Sequence, residues 1–245
     1  MTPRSRRRLD ESDIRVRPNP KGSRPRTKER PRHEDAVPAR VLTVDRGRYT
    51  TLVDEGTDDE RVVVAMKARE LGRASIVVGD RVALVGDVSG IDDTLARVVR
   101  VADRATVLRR TADDTDPVER VVVANADQLV VVTAVADPEP RHRMVDRCLV
   151  AAYDAGIAPL LVLTKADLAD PAEFLGAYRD LDLTVVVTRR RHDRSIEGLD
   201  DVREHLRGHD SVLVGHSGVG KSTLVNALVP AADRATGIVN AVTGR

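Results

Sequence analysis

Two short motifs carry the chemistry of this chain, and their order is unusual. Gly215-His216-Ser217-Gly218-Val219-Gly220-Lys221-Ser222-Thr223 fits the GxxxxGK[ST] spacing of a phosphate-binding loop. Its glycines let the backbone close around phosphate oxygens in conformations that are costly for residues with side chains. Lys221 then reaches the β- and γ-phosphates, and the Ser222 hydroxyl is placed to ligate Mg²⁺. About fifty residues earlier stands Thr164-Lys165-Ala166-Asp167. Asp167 can accept two hydrogen bonds, from N1–H and the exocyclic amine of guanine. Adenine offers an unprotonated N1 and no 2-amino group, and would leave the carboxylate unpaired. Lys165 offers an aliphatic stem to lie along the base while its charge points toward the phosphate loop. A guanine-nucleotide site needs both motifs, and in the ordinary arrangement the phosphate loop comes first. Here the base-reading motif comes first, which indicates a circular permutation.

The flanking residues supply the elements that must position these groups. Ser211-Val212-Leu213-Val214 reads as a short apolar strand, and Lys221 to Leu228 has helical spacing. The glycine loop therefore sits between a strand and a helix N-terminus, where free N–H groups and the helix dipole both favour an anion. Pro159 to Leu163 reads as a buried strand, placing Asp167 at a strand's C-terminal end, where open α/β sheets bind ligands. Further strands are expected at Leu129–Thr133 and Leu183–Val187, with helices near Arg143–Ala155, Pro171–Leu181 and Leu199–Leu206. Such alternation implies a parallel sheet with helices on both faces. The phosphate loop alone does not separate GTP from ATP, so a P-loop ATPase or kinase is one alternative. A non-catalytic RNA-binding module holding nucleotide as a structural ligand is another.

Upstream, the chain changes character. Runs at Ala39–Val44, Tyr49–Val53, Arg61–Met66, Arg81–Val85 and Leu95–Val101 are β-rich, five strands of the kind that close an OB-type barrel. Lys67 to Ser75 is expected to add a short helix. Tyr49 is the one aromatic in this region, so contact with the shape and phosphates of folded RNA fits better than stacking on single-stranded bases. The net charge of +1 conceals an asymmetry: residues 1–32 hold twelve Lys and Arg against four acids, with five prolines. That composition predicts a disordered basic arm able to track nucleic-acid phosphates. Leu108 to Pro117 is polar and reads as a linker. The expected division is thus an arm at 1–35, a barrel at 36–104, a linker at 105–120 and a nucleotide domain at 121–245. Cys148 is the single cysteine; it excludes an intramolecular disulfide and points to a reducing compartment. No apolar run approaches a membrane span, and a soluble cytoplasmic protein without a membrane partner is expected. The six histidines, His33, His142, His192, His205, His209 and His216, show no cysteine partners at zinc-ligand spacing. The triplet Arg189-Arg190-Arg191 reads as a solvated loop, with RNA contact or support of the base site as the alternatives.

Taken together, Val78-Gly79-Asp80-Arg81-Val82, Arg104 to Arg109, Ala124-Asn125-Ala126-Asp127, Thr164 to Asp167 and Gly215 to Thr223 resemble the ribosome small subunit-dependent GTPase A family. These are permuted GTPases with an N-terminal OB domain. The resemblance spans residues 39–245. It implies an α/β fold with an OB-type β-barrel followed by a circularly permuted P-loop GTPase domain, its parallel sheet incomplete and flanked by helices on both faces. It further implies hydrolysis of GTP to GDP and phosphate with Mg²⁺, in late maturation of the small ribosomal subunit, through rRNA, and action as a monomer. The implied guanine-nucleotide residues are Thr164, Lys165, Ala166, Asp167, Gly215, His216, Ser217, Gly218, Val219, Gly220, Lys221, Ser222 and Thr223. No general base can be assigned. Members of the family continue past a pair like Gly244-Arg245 into a threonine-rich switch, a DxxG motif and a Cys/His zinc domain. None of these follows the phosphate loop within the 245 residues, so the chain is expected to be a fragment, or a truncated gene product, ending inside the first switch, without its Zn²⁺ site. The strand at Ser211–Val214 is then expected to be an uncovered edge, and hydrolysis by this chain is in doubt. The Ser-Ala pair that supports the base in the family is replaced by Thr188-Arg189.

Overall fold

The computed structural model describes residues 33–110 and 120–229. The basic arm at 1–32, the centre of the expected linker and the Gly244-Arg245 pair lie outside the described residues.

Five strands form the first body: β1 (Val37–Asp45), β2 (Arg48–Val53), β3 (Arg61–Lys67), β4 (Arg81–Gly86) and β5 (Ala96–Val101). They close into a barrel in the order β1-β2-β3-β5-β4, with β3 and β5 parallel and the other pairs antiparallel. Alternation decides which residues face inward. Val41, Val53, Val63, Ala65, Leu84, Ala96 and Val98 are all at most 1% exposed and form the barrel core. Thr51 also points inward, and its hydroxyl donates to the Val63 carbonyl at 2.8 Å, which satisfies a buried polar group. The helix expected over Lys67–Ser75 shrinks to a single 3-10 turn at Arg69–Leu71. Ala68 N–H is tied to the Val98 carbonyl at 2.9 Å and Gly72 follows with φ +53°, leaving no room for a second turn.

Between the bodies, the expected linker contains structure. β6 (Val107–Arg110) pairs antiparallel with β7 (Arg120–Ala124) around a bulge at Leu108/Arg109. Val107 and Leu108 find apolar partners in Val121 to Ala124, and Leu108 packs on the core of the second body. This hairpin carries the chain into a seam with the barrel. Ala124 N–H donates to the Val78 carbonyl at 3.0 Å. Asn125 donates its amide to the Gly79 carbonyl at 2.9 Å and accepts from Ala105 N–H at 2.8 Å. A Cβ on Gly79 would lie 2.0 Å from the Ala124 carbonyl oxygen, so only glycine permits this approach. Beneath it Asp80, fully buried, accepts from Arg104 at 2.7 and 2.9 Å and from Val77 N–H at 2.8 Å.

The second body alternates strand and helix: β8 (Gln128–Ala134), α1 (His142–Asp154), β9 (Ala158–Thr164), α2 (Ala172–Gly176), β10 (Thr184–Val187), a two-residue hairpin β11 (Arg189–Arg190) and β12 (Ile196–Glu197), α3 (Leu199–Leu206), β13 (Ser211–Val214) and α4 (Lys221–Leu228). The sheet runs β10-β9-β8-β13, every pair parallel. Leu129, Val131, Leu161 and Leu163 face α1 and α2, packing on Val145, Leu149 and Phe174. Val130, Val132, Leu160 and Val162 face α3 and α4, meeting Val202 and Leu224. Every residue of β8 is buried, which is why it reads as one apolar run rather than an alternation. The helix expected over Pro171–Leu181 is a short α2 followed by turns, in which Tyr178 N–H reaches Leu175 and Leu181 N–H reaches Tyr178, each three residues back. Among the described residues β13 is an edge strand. No helix among them is long and apolar enough to cross a membrane.

Candidate functional site

The parallel sheet delivers two loops to the C-terminal ends of neighbouring strands. β13 pairs with β8 in the register Val214↔Val131, so the loop at 215–220 leaves the sheet over the end of β8. The loop is seated closely: a Cβ on Gly215 would fall 2.2 Å from the Val132 carbonyl oxygen. Val219, 2% exposed, anchors the loop's far side in the apolar cluster of Val130, Val132 and Leu224. Gly220 caps α4 in the left-handed conformation at φ +94°. The first helical bond runs from Leu224 N–H to the Gly220 carbonyl at 2.9 Å. The N–H groups of Lys221, Ser222 and Thr223 therefore stay outside the helix ladder, as first-turn donors do.

Lys221 folds back over this loop. Its ammonium donates to the Gly215 carbonyl at 2.7 Å and to the His216 carbonyl, and burial pushes it below the ordinary lysine range. The His216 imidazole is likewise held below its ordinary value, first by burial and then by the positive charges of Arg141 and Lys221. The charges of Arg141 and Lys221 thus lie close enough to His216 to disfavour its protonation, and positive charge beside such a loop attracts a polyanion. Ser217 and Gly218 are exposed. The Ser222 hydroxyl, on the first turn of α4, has no hydrogen-bond partner among the described residues.

The expected base-reading motif grows directly out of β9. Thr164, its last residue, is 6% exposed, and its hydroxyl donates to the Val219 carbonyl of the phosphate loop at 2.6 Å. This bond clasps the two motifs together across 55 residues of chain. Lys165 then takes φ +57°, which turns the chain out of the strand, and its ammonium donates to the Asp137 carbonyl in the loop after β8. Ala166 N–H donates to the Thr188 carbonyl at 3.2 Å. Asp167 is exposed at the tip, and one carboxylate oxygen accepts Arg190 N–H at 3.0 Å.

Residues 164–167 and 215–223 are thereby brought into one place. Two further contributors stand beside these motifs, of which only the first gave no signal in the sequence. One is the segment after β8, whose Pro138 lies against Gly218 and whose Asp137 receives Lys165. The other is Arg190, which contributes its backbone N–H while occupying a run that reads as a solvated loop. The only sequence signal for the clasp was a hydroxyl-bearing residue at position 164. Thr188 and Arg189 occupy the expected supporting position at the end of β10; Thr188 is buried and its hydroxyl donates to the Leu163 carbonyl at 3.2 Å. His142 belongs elsewhere, stacked on Phe174 with ring centroids 4.5 Å apart.

Comparison with known proteins follows the same lines. The sequence profile of the RsgA GTPase family matches residues 101–245. The small ribosomal subunit biogenesis GTPase RsgA of Pseudomonas syringae pv. syringae (strain B728a) is 41% identical over 177 residues, covering 70% of this chain and 49% of the relative. The protein of the same name from Chlorobaculum tepidum is 36% identical over 192 residues, covering 76% and 61%. The chain spans about half the length of the former relative. Among solved structures, YjeQ from Thermotoga maritima superposes with a TM-score of 0.59 at 27% identity, over 80% of this chain and 66% of that one. YloQ, described as a circularly permuted GTPase, superposes with a TM-score of 0.58 at 24% identity, over 82% and 67%; at that identity the likeness is one of fold.

Proposed function

Because the chain belongs to the RsgA GTPase family, we propose that it forms the nucleotide-binding part of a cytoplasmic, monomeric guanine-nucleotide hydrolase acting in late maturation of the small ribosomal subunit. The observation that carries this reading is the bond from Thr164 to Val219. It joins a guanine-reading carboxylate to a phosphate loop, so one nucleotide can be held at both ends.

In this reading the nucleotide's phosphates replace the loop carbonyls as partners of Lys221. The unused N–H groups at the start of α4 and the glycine backbone receive the remaining phosphate oxygens. Asp167 takes N1–H and the exocyclic amine of guanine, and the Lys165 stem lies along the base. The chemistry is attack of water on the γ-phosphate with GDP as leaving group, and positioning with charge neutralisation is the contribution these residues make. A Mg²⁺ ion fits: Ser222 presents a hydroxyl oxygen with no other partner among the described residues, beside the phosphate cradle, and the ion would supply neutralisation of the β/γ oxygens. A Zn²⁺ ion does not fit the described residues, which hold no group of three ligating side chains. Contact with rRNA is assigned to the barrel and the basic arm.

Asp167→Asn tests the base assignment. It presents one carbonyl and one amine, leaving the guanine 2-amino group facing a donor. GTP affinity falls by on the order of 2 to 4 kcal/mol through loss of charge-assisted bonds. Xanthine carries an oxygen where guanine carries that amine, so preference shifts toward xanthosine triphosphate, and ATP competes with neither nucleotide. An unchanged GTP-to-XTP preference in a competition assay removes the base reading. Turnover measured with and without small subunits tests the hydrolase assignment separately.

A further inference from the structure

The hairpin of β11 and β12 stands beside the guanine-reading carboxylate and is used by none of the nucleotide contacts except through one backbone N–H. Between residues 189 and 194 it carries Arg189, Arg190, Arg191, His192 and Arg194 against a single acid, Asp193. All of these residues are exposed. Arg191 pairs with Glu197 at 3.4 Å, on the surface. Arg189, Arg190 and Arg194 have no ion-pair partner among the described residues.

A charge run on a loop is ordinarily just solvated, but this one is held in shape. Arg189 pairs with Glu197 and Arg190 with Ile196 across the ladder. Arg191 N–H donates to the Ser195 carbonyl at 2.9 Å and Arg194 N–H to the Arg191 carbonyl at 3.0 Å. The tip is closed by Asp193, whose carboxylate accepts from Ser195 N–H at 2.9 Å and from the Ser195 hydroxyl at 2.6 Å. At the root, Gly198 passes so close to β10 that a Cβ would lie 2.4 Å from the Val187 carbonyl oxygen. Cations on a fixed ribbon lose less freedom on binding than cations on a mobile tail.

The root of the ribbon also touches the base site, since Arg190 N–H donates to Asp167 at 3.0 Å. This bond orients the carboxylate and leaves its remaining acceptor capacity for a base. Whatever fixes the ribbon from outside therefore also fixes Asp167.

We propose that the β11–β12 hairpin is a contact for the phosphate backbone of folded RNA and that RNA bound there tightens guanine-nucleotide binding through the Arg190–Asp167 bond. The hairpin carries no Phe, Tyr or Trp, and its one imidazole, His192, stands among four arginines, so charge on the backbone rather than stacking on bases is its main grip. The proposal rests on the guanine-nucleotide reading above and adds a partner and a direction of regulation to that site. By linkage, nucleotide tightens RNA binding by the same factor.

The test uses the full chain, a protein-free transcript of small-subunit rRNA and a fluorescent guanine nucleotide. Arg191→Gln combined with Arg194→Gln removes two charges without touching Arg190 N–H or Asp167; the exposed Arg191–Glu197 pair contributes little to folding. The double variant is expected to bind nucleotide alone like the parent. Its salt dependence of RNA binding becomes shallower by roughly 1.4 to 1.8 in the log–log slope, two contacts at about 0.7 to 0.9 each. Added RNA raises the nucleotide affinity of the parent about fivefold or more, and that enhancement is lost in the variant. The corresponding double Lys variant restores both effects. An unchanged salt slope, or an RNA enhancement that persists in the double Gln variant, overturns the proposal. So does weakened binding to intact small subunits with naked rRNA binding unchanged, which assigns the arginines to a protein surface. Failure of the base reading shows separately, as an Asp167→Asn variant with unaltered GTP-to-XTP preference.

Discussion

Thr164→Val isolates the bond that makes two motifs into one site. Valine has nearly the shape of threonine, and position 164 is 6% exposed, so packing is retained while the hydroxyl that donates to the Val219 carbonyl at 2.6 Å, with the Thr133 carbonyl a longer second acceptor at 3.4 Å, disappears. The bonded carbonyl belongs to a residue that is itself only 2% exposed, which keeps water from replacing the lost partner. Leaving a buried acceptor unpaired costs about 1 to 3 kcal/mol. For a body of this size the loss corresponds to a fall in Tm of about 2 to 4 °C per kcal/mol, hence roughly 2 to 12 °C. The phosphate loop is also freed from β9, so affinity for GDP drops. Tenfold per 1.4 kcal/mol sets the scale, with about a hundredfold as the upper end. The discriminating measurement is a comparison of bases. Because the clasp holds the loop rather than reading the ring, guanine and xanthine nucleotides weaken in parallel, whereas Asp167→Asn separates them. Thr164→Ser keeps the hydroxyl and loses one methyl, a cost of about 0.8 kcal/mol, and retains most of the affinity. If Thr164→Val binds GDP and melts as the parent does, the clasp does not hold the site and the reasoning fails.

Asp80→Ala leaves the Arg104 guanidinium and Val77 N–H facing an empty, buried position. Breaking such a pair costs about 3 to 5 kcal/mol, and thermal unfolding shows the loss while Asp180→Ala, removing an exposed carboxylate paired to Arg179, changes little. His216 gives a pH signature. Its pKa is lowered in the folded chain by burial and by Arg141 and Lys221, so the folded state binds fewer protons than the unfolded state as pH falls. The stability contributed by the neutral ring is therefore fully present above the ordinary value of 6.5 and is lost as pH drops toward the lowered pKa. Denaturant titrations at pH 7.5 and pH 5.5 are expected to differ less for His216→Gln than for the parent, and an identical difference counts against this account.

What the sequence revealed and what it hid divide along a physical line. The barrel strands were legible because inward positions such as Val41, Val53 and Val63 alternate with outward ones. The phosphate loop was legible because backbone geometry demands its glycines. Three features were not legible. Val107 and Leu108 sit among polar neighbours and become a strand only because β7 and the core of the second body receive them. The second half of the expected Pro171–Leu181 helix keeps its apolar spacing, but its N–H groups bond three residues back rather than four, a choice that spacing does not record. The arginine hairpin has no apolar alternation at all, and is shaped by Gly198 packing on Val187 and by a turn at Asp193. In each case the deciding partner is distant in sequence or is a backbone atom, and neither appears in a side-chain pattern.

The seam between barrel and nucleotide body shows how such distant partners divide the labour. Arg40 on β1 bridges Glu55 at 2.9 Å and Asp210 at 2.6 Å. Asp210 immediately precedes β13, the strand that delivers the phosphate loop, and is locked to Asp127 by reciprocal backbone contacts, its own N–H donating to the Asp127 carboxylate at 3.0 Å and its carbonyl accepting Asp127 N–H at 3.1 Å. The charged bridge is partly open to water, with Arg40 and Asp210 side chains 29% and 37% exposed, so it contributes little free energy and mainly sets orientation. The better shielded contacts are the Asp80–Arg104 pair, its carboxylate fully buried and its arginine 21% exposed, and the backbone approach that only Gly79 allows. The stretch after Asp80 enters β4 of the barrel, while the stretch after Asp127 enters β8, directly beside β13. The barrel is therefore fixed to the strand on which the phosphate loop's own strand is registered.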